Sequence, residues 1–340
     1  MSRMTSRELV TATIEFGGPE RIPYSPWIDL PRFRRDRSPE DVQTVQELIA
    51  NAPQDWIELW PAPVREYRSV NGPRVDEWGV TWNDNYAMEH PLEESWELVD
   101  DLQFPDPHSP GRFEHIPAEL NGNEDEYRLA TVWCTLFERM WQLRGMGNLF
   151  RDQYRHREQF ARLRDRVLQF DIGVLEVWLE MGVDGVWFSD DWGTQEGLLI
   201  NPTLWRELYK PWYEKLFGMV HEGGAHVWLH SCGNVTEIIP DLIQIGLDVL
   251  NPVQSRAMDV DELGRTYGGK LCFWGGLDVQ VTVPRGKPED IDQEVRHLIE
   301  VFGSHNGGYI GGTSHTILPD APVENIRAVF DAFEKHCGAG

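Results

Sequence analysis

Apolar and polar positions follow two rhythms along this chain, and the switches between them sort it into strands and helices. Short apolar runs rich in aromatic or β-branched residues and bounded by turn residues predict strands at Ile22–Trp27, Trp56–Trp60, Leu129–Cys134, Gly185–Ser189, His226–His230, Val249–Asn251, Leu271–Gly275 and Tyr309–Gly311. Stretches with helical spacing predict helices at Ser38–Asn51, Gln159–Glu180, Pro202–His221, Val235–Ile245, Pro288–Phe302 and Pro322–His336. Thr5 followed by Glu8 has the form of a capping box that opens an N-terminal helix, and Gly17-Gly18-Pro19 stops it.

From Leu129 onward strand and helix alternate regularly, the pattern of parallel βα units. With the two early strands the total is eight, so the fold class is α/β: a (β/α)8 TIM barrel with an N-terminal helical extension. Residues 65–128 break the rhythm. Asn71-Gly72 signals a hairpin turn beside the aromatic-rich Val75–Trp82, and Pro105, Pro107 and Pro110 make the remainder irregular. This stretch reads as a hairpin-containing insertion packed on the barrel, within one domain spanning residues 1–340.

Composition narrows the partners. The chain has 340 residues, 41% of them hydrophobic, enough for one sizeable core. Its formal net charge of -25 repels phosphate backbones and anionic membranes, so nucleic acid and membrane are excluded as partners and a small-molecule substrate is expected. Such acidity otherwise describes a soluble surface. Cys134, Cys232, Cys272 and Cys337 show no paired spacing, which fits a reducing compartment rather than a disulfide framework. Met1–Phe16 lacks a signal-peptide core, and no run reaches the roughly 20 apolar residues that span a bilayer, so a cytoplasmic location is expected.

Barrel active sites lie at the C-terminal strand ends, and polar residues stand at nearly every one here. Glu58 lies near the end of the second predicted strand, Asp190 and Asp191 follow the fourth, and His230 and Cys232 close the fifth. Asn251 and Gln254 follow the sixth, Asp278 the seventh and His315 the eighth. Residues i and i+2 of a strand point to one side, so His230 and Cys232 can reach one point. Both are preferred zinc ligands, and His315 is the natural third donor for an open site. Asp190 or Asp191 could instead cap a helix, and Asn251 could hold a loop. Tryptophans 27, 60, 78, 82, 187 and 192 offer an apolar wall for a flat group, although at least half of them are as well explained as core.

These runs together resemble the uroporphyrinogen decarboxylase superfamily, in particular its corrinoid-linked, zinc-dependent methyltransferase branch. The matching stretches are Asp184–Gln195, His230–Asn234, Gly246–Gln254, Gly275–Asp278, Gly307–Asn325 and the opening Ser6–Pro23. The resemblance implies a methyltransferase that moves a methyl group between a small molecule and a corrinoid (cobamide) on a separate carrier protein. In that branch a His-x-Cys pair and a later cysteine bind zinc. His230 and Cys232 carry over, and His315 stands where the later cysteine is expected. Asp190, Asp191 and Asp278 are then expected as catalytic groups and Glu58, Gln195, Asn251 and Gln254 as substrate contacts. A homodimer is compatible with this reading. With His315 as ligand, one thiolate and two imidazoles leave zinc a net positive charge, which favours a departing oxygen such as that of a methoxylated compound.

A rival reading is porphyrinogen decarboxylation, for which the resemblance implies an arginine-bearing run after the first strand and an aspartate beyond the second. The first region here reads Trp27-Ile28-Asp29-Leu30-Pro31-Arg32-Phe33, and the second Leu59-Trp60-Pro61-Ala62, without the acid. Arg32, Arg34 and Arg35 leave some basic character near the first loop. A third reading is a non-catalytic barrel that binds a ligand or a corrinoid protein around a closed structural metal.

Overall fold

Consecutive strands of this chain lie side by side, as right-handed βα crossovers require. The computed structural model describes residues 3–63, 73–83 and 86–338. Its strands are β1 (Trp56–Leu59), β2 (Arg74–Val75), β3 (Thr81–Asn83), β4 (Tyr86–Glu89), β5 (Tyr127–Val132), β6 (Gly185–Ser189), β7 (His226–His230), β8 (Val249–Gln254), β9 (Cys272–Leu277) and β10 (Tyr309–Thr313). Seven of these form one parallel sheet in the order β1-β5-β6-β7-β8-β9-β10, and the helices between them make this an α/β TIM-barrel-like fold.

The predicted strand Ile22–Trp27 is not a regular strand. Among the described residues the segment joins β10 through one isolated bridge, Tyr24 to Gly311, and a second bridge, Ile28 to Ile317, lies beyond the ends of both. Pro23 lacks the N–H that would extend the ladder toward β10, and Pro26 lacks one on the opposite edge. The chain instead alternates: Gly311 N donates to Pro23 O at 2.8 Å, Ser25 N to Gly311 O at 2.9 Å and Ile317 N to Trp27 O at 2.7 Å. The predicted helix Pro202–His221 is likewise two helices, Pro202–Leu208 and Lys210–Glu222, parted where Pro211 removes a donor.

The barrel interior is filled by large rings. Trp56, Tyr127, Trp187, Trp228 and Trp274 pack with Leu129, Val249, Cys272 and Ile310. The N-terminal helix Ser6–Ile14, opened by the predicted Thr5–Glu8 capping box, adds Val10 and Ile14 to this cluster and so plugs the barrel. Rings this large need a gap in the wall. A Cβ on Gly185 of β6 would lie 2.5 Å from Tyr127 Oη and 2.8 Å from Trp228 Nε1.

The insertion contains an antiparallel sheet in the order β2-β3-β4. The predicted Asn71-Gly72 turn lies outside the described residues. Trp78 packs against Phe170 of the helix Arg157–Glu180 at 4.8 Å between ring centres. Arg112 pairs with Glu77 at 2.8 Å while covering the Phe170 face. Among the described residues, no helix is long and apolar enough to cross a membrane.

Filling the Gly185 gap forces the rings apart, so Gly185→Ala should destabilise the fold by about 1–3 kcal/mol. Gly218 sits within a helix with nothing near its absent side chain, so Gly218→Ala should stabilise by up to about 1 kcal/mol. Urea midpoints of the two variants should therefore move in opposite directions. A second expectation concerns Asp171, buried in the helix Arg157–Glu180 with Oδ2 lacking a partner among the described residues. Burial holds its carboxyl well above the ordinary range. Its ionisation therefore costs stability as pH rises past the unfolded value near ~4. Asp171→Asn should raise the urea midpoint relative to wild type at about pH 8 and give no gain at about pH 4.

Candidate metal centre and its surroundings

Parallel register brings three polar strand ends into one row, with Ser189 opposite His230 and His230 opposite Asn251. His230 is buried, and its Nδ1–H donates to Asn251 Oδ1 at 2.7 Å. That bond leaves the Nε2 lone pair free to face the mouth. Cys232 Sγ lies 3.5 Å from Nε2, and Asp191 Oδ1 lies 3.8 Å from it. One ligand atom from each of Asp191, His230 and Cys232 lies within 4.8 Å of the others.

The loops after β6 and β7 are tied together around this group. Asp190 N donates to His230 O, Gly193 N to Cys232 O and Trp192 N to Ser231 Oγ. Asp191 Oδ1 accepts the Cys232 N–H at 2.8 Å, and Gln254 Oε1 accepts that of Gly233 at 2.8 Å. The two backbones touch at glycines. A Cβ on Gly233, which has φ 82°, would lie 2.3 Å from the Gly193 carbonyl carbon.

The group fits a zinc ion. With bond lengths of roughly 2.3 Å to sulfur and 2.0 Å to nitrogen, a tetrahedral site places those two donors about 3.5 Å apart. The observed Nε2–Sγ distance is 3.5 Å. Burial, then the carboxylates of Asp191 and Glu138, push the Cys232 thiol far up, and no lysine or arginine among the described residues pairs with Asp191.

His315 stands apart from this group. Its ring centre is 6.4 Å from that of His230, whereas two imidazoles on one tetrahedral zinc have centres roughly 5 Å apart. It stacks instead on Trp27, with centres 6.1 Å apart.

The remaining expected residues have distinct places. Asp190 is fully buried, accepts the N–H groups of Phe137 at 2.9 Å and Glu138 at 2.6 Å, and bonds Tyr213 Oη. It thus caps the helix Leu136–Arg144 from another strand, and burial raises its pKa to about 7. Asp278 organises the loop after β9 by accepting from Gln280 N, Val281 N, Thr282 N and Arg256 Nε. Burial pushes its carboxyl up, but those donors outweigh it and hold the pKa below the ordinary value. Gln195 is exposed. Glu58 opens on a cleft of about 510 Å³ beside β1, lined also by Ser25, Asp55 and Glu119, and burial raises its pKa.

Two members of the site are not marked by the sequence pattern. Glu138 is a buried carboxyl that accepts from Ser189 Oγ at 2.8 Å, and burial followed by Asp191 and Asp190 holds its pKa well up. Its spacing from Thr135 has the form of a capping box, a signal that points to a helix start rather than a site. Trp133 follows β5 and lies 5.3 Å from His230 between ring centres. Trp27 at 6.1 Å and Trp187 at 6.0 Å complete the rings around that histidine, and Trp60 packs on both Trp133 and Trp187. Trp78, Trp82 and Trp192 lie elsewhere: Trp78 and Trp82 in the insertion and Trp192 against Phe137 and Tyr209.

Residues 130–336 match the family model described as uroporphyrinogen decarboxylase (URO-D). Curated relatives include the uroporphyrinogen decarboxylase of Chloroherpeton thalassium, 23% identical over 54% of this chain and 51% of that protein. The enzyme of the same name from Thermus thermophilus is 27% identical over 51% of this chain and 48% of that one. The chain thus spans about half the length of the curated relatives it matches. A solved methyltransferase from Methanosarcina mazei superposes over 98% of this chain and 99% of that one, with a TM-score of 0.69 and 17% identity, a likeness of fold. The family match covers well over half of the residues, from β5 through the last helix, and includes every member of the candidate metal-binding group: this chain belongs to the uroporphyrinogen decarboxylase (URO-D) family.

Proposed function

We propose that this chain is a zinc-dependent methyltransferase that moves a methyl group between a small molecule and a corrinoid held by a separate carrier protein. The observation that carries this reading is the Asp191–His230–Cys232 group at the strand ends, with one donor pair already at zinc-site spacing. The methyltransferase likeness along almost the full chain supports it.

Each side chain then has a physical task. Asn251 fixes the His230 tautomer, so Nε2 presents its lone pair toward Cys232 and Asp191. Gln254 and the backbone ties hold the Cys232 loop in place. Trp27, Trp133 and Trp187 keep water from one side of the reacting region, while Asp191 remains partly open to the mouth. Zinc, when bound there, would supply Lewis acidity, lowering the pKa of a substrate thiol or stabilising a departing atom.

Charge decides between these uses. Asp191 in place of His315 brings a second anion, so thiolate, carboxylate and imidazole together neutralise the ion. The oxygen-donor expectation rested on a positively charged site with His315 bound, and the geometry around His230 favours the neutral set.

Decarboxylation of a porphyrinogen is the second reading, favoured by the names of the family model and the curated relatives. A polyanionic substrate needs cations, yet the acid beside His230 is Asp191, and the side chains that act on the Cys232 thiol are the carboxyls of Asp191 and Glu138.

Purified wild-type protein should hold roughly one zinc per chain, Cys232→Ala should lose it, and His315→Ala should retain it. Asn251→Ala should weaken zinc binding by about 10–100-fold while the far-ultraviolet dichroism stays unchanged. Nil zinc, or equal zinc in wild type and Cys232→Ala, would overturn the metal site. Methylation or demethylation of free cobamide, followed by its visible spectrum, tests the reaction; a flat spectrum alongside porphyrinogen decarboxylation would hand the function to the second reading.

A further inference from the structure

One residue beside the candidate metal centre holds a backbone conformation that its own side chain disfavours. Cys134, which follows Trp133 just past the end of β5, has φ 55°. In that left-handed region a Cβ crowds the neighbouring carbonyl, and glycine alone escapes the cost. Such a conformation persists where its surroundings impose it. Thr135 N donates to Ser189 O at 2.8 Å and Thr135 Oγ1 donates to Val132 O at 2.9 Å, so the chain must turn within Trp133 and Cys134. Trp133 itself keeps the inward phase of Tyr127 and Leu129, which brings its ring to Trp187 and His230.

The cysteine supplies an anchor that glycine lacks. Its Sγ accepts Gln142 Nε2 at 3.3 Å, and burial pushes the thiol far up, so it stays neutral. Sulfur is a weak acceptor, but the amide it receives is firmly held. Gln142 is only 2% exposed, its Oε1 accepts Arg139 Nη1 at 2.8 Å, and its carbonyl accepts the Nδ1–H of His90 at 2.7 Å.

Arg139 carries the connection into the insertion. Its guanidinium lies 4.5 Å from the ring centre of Trp78 and 3.8 Å from Asp76 Oδ2. Asp76 in turn organises the turn between β2 and β3, accepting Trp78 N at 2.9 Å, Val80 N at 3.0 Å and Trp82 Nε1 at 2.8 Å. Polar contacts thus run without a break from the insertion, across the helix Leu136–Arg144, to the turn that bears Trp133. Away from water such linked bonds reinforce one another and fix orientation.

We propose that Cys134 and Gln142 are positioning residues: they hold the turn that lays the Trp133 ring against His230, and Arg139 makes that turn part of the insertion's framework. The ring then shields one side of the imidazole from water. The proposal goes beyond the methyl-transfer reading, and only its second measurement rests on the metal site.

The first measurement uses the zinc-free full chain with carbon-13 in its histidine rings, the His230 signal being assigned by its loss in His230→Gln. A tryptophan ring shifts the resonance of a neighbouring imidazole, so at one fixed pH Cys134→Gly and Gln142→Ala should each move the His230 signal by more than its linewidth. Cys134→Ser, which keeps an acceptor, should leave it near its wild-type place. Arg139→Lys keeps the charge but loses the planar fork, and should move it in the same direction as Gln142→Ala. The signals of His221 and His305, which precede β7 and β10 at the other end of the barrel, should stay fixed throughout. In the second measurement, competition with a chelator, Cys134→Gly and Gln142→Ala should bind zinc about tenfold more weakly with unchanged far-ultraviolet dichroism, and Cys134→Ser should match wild type. An unmoved His230 signal in Cys134→Gly, a serine variant that behaves like the glycine one, or wild-type zinc affinity in Cys134→Gly would overturn the proposal. Those three outcomes hold even where Gln142→Ala fails to fold. A moved signal in a protein whose wild type binds no zinc would sink the metal reading alone.

Discussion

Parallel register between β6, β7 and β8 is the constraint on which the site depends. It places Ser189, His230 and Asn251 in one row, and the next backbone bonds, Asp190 N to His230 O and Ser231 N to Asn251 O, carry that order into the loops. Side chains alternate along a strand, so a slip of one residue would turn His230 out of the barrel. The donor atoms are thus brought together by the ladder before any metal is considered.

The ladder in turn relies on an interior that tolerates tryptophan. Tyr127, Trp187, Trp228 and Trp274 fill the barrel because Gly185 leaves room in the wall and the first helix seals one end with Val10 and Ile14. Trp187 belongs to both regions, packing on Trp274 below and on Trp27, Trp133 and His230 above. Floor and core are one packed unit, which gives the mouth the rigidity of a protein interior.

Much of this was legible in the sequence, and the failures have physical causes. Gly185–Ser189, His226–His230 and Pro288–Phe302 stand where the apolar pattern puts them, because the first two are short continuous apolar runs and the third keeps a helical apolar repeat. Ile22–Trp27 reads as a strand from its apolar content, but whether prolines spoil a ladder depends on which neighbour needs the missing N–H. His230 and Cys232 were visible because their spacing is local. Asp191 was visible as a strand-end acid, yet its proximity to the pair is set by contacts between two loops. Asn251 and Gln254 stand at the site as supports that orient His230 and Gly233, and Asp190 is spent on a distant helix start. Pattern identifies what stands at a strand end. It does not reveal which backbone N–H groups will claim each carboxylate.

Asp191 has one consequence beyond ligation. The oxygen that faces His230 also accepts the N–H of Cys232, so in the proposed metal site the carboxylate would be at once a staple between two loops and a donor for the ion. Occupancy and loop order then form a thermodynamic cycle: whatever tightens the staple preorganises the site, and an ion that binds there tightens the staple in return. The barrel beneath stands on its own packing, so the reciprocity is confined to the rim, where loading would be felt as stiffness of two loops rather than as stability of the whole chain.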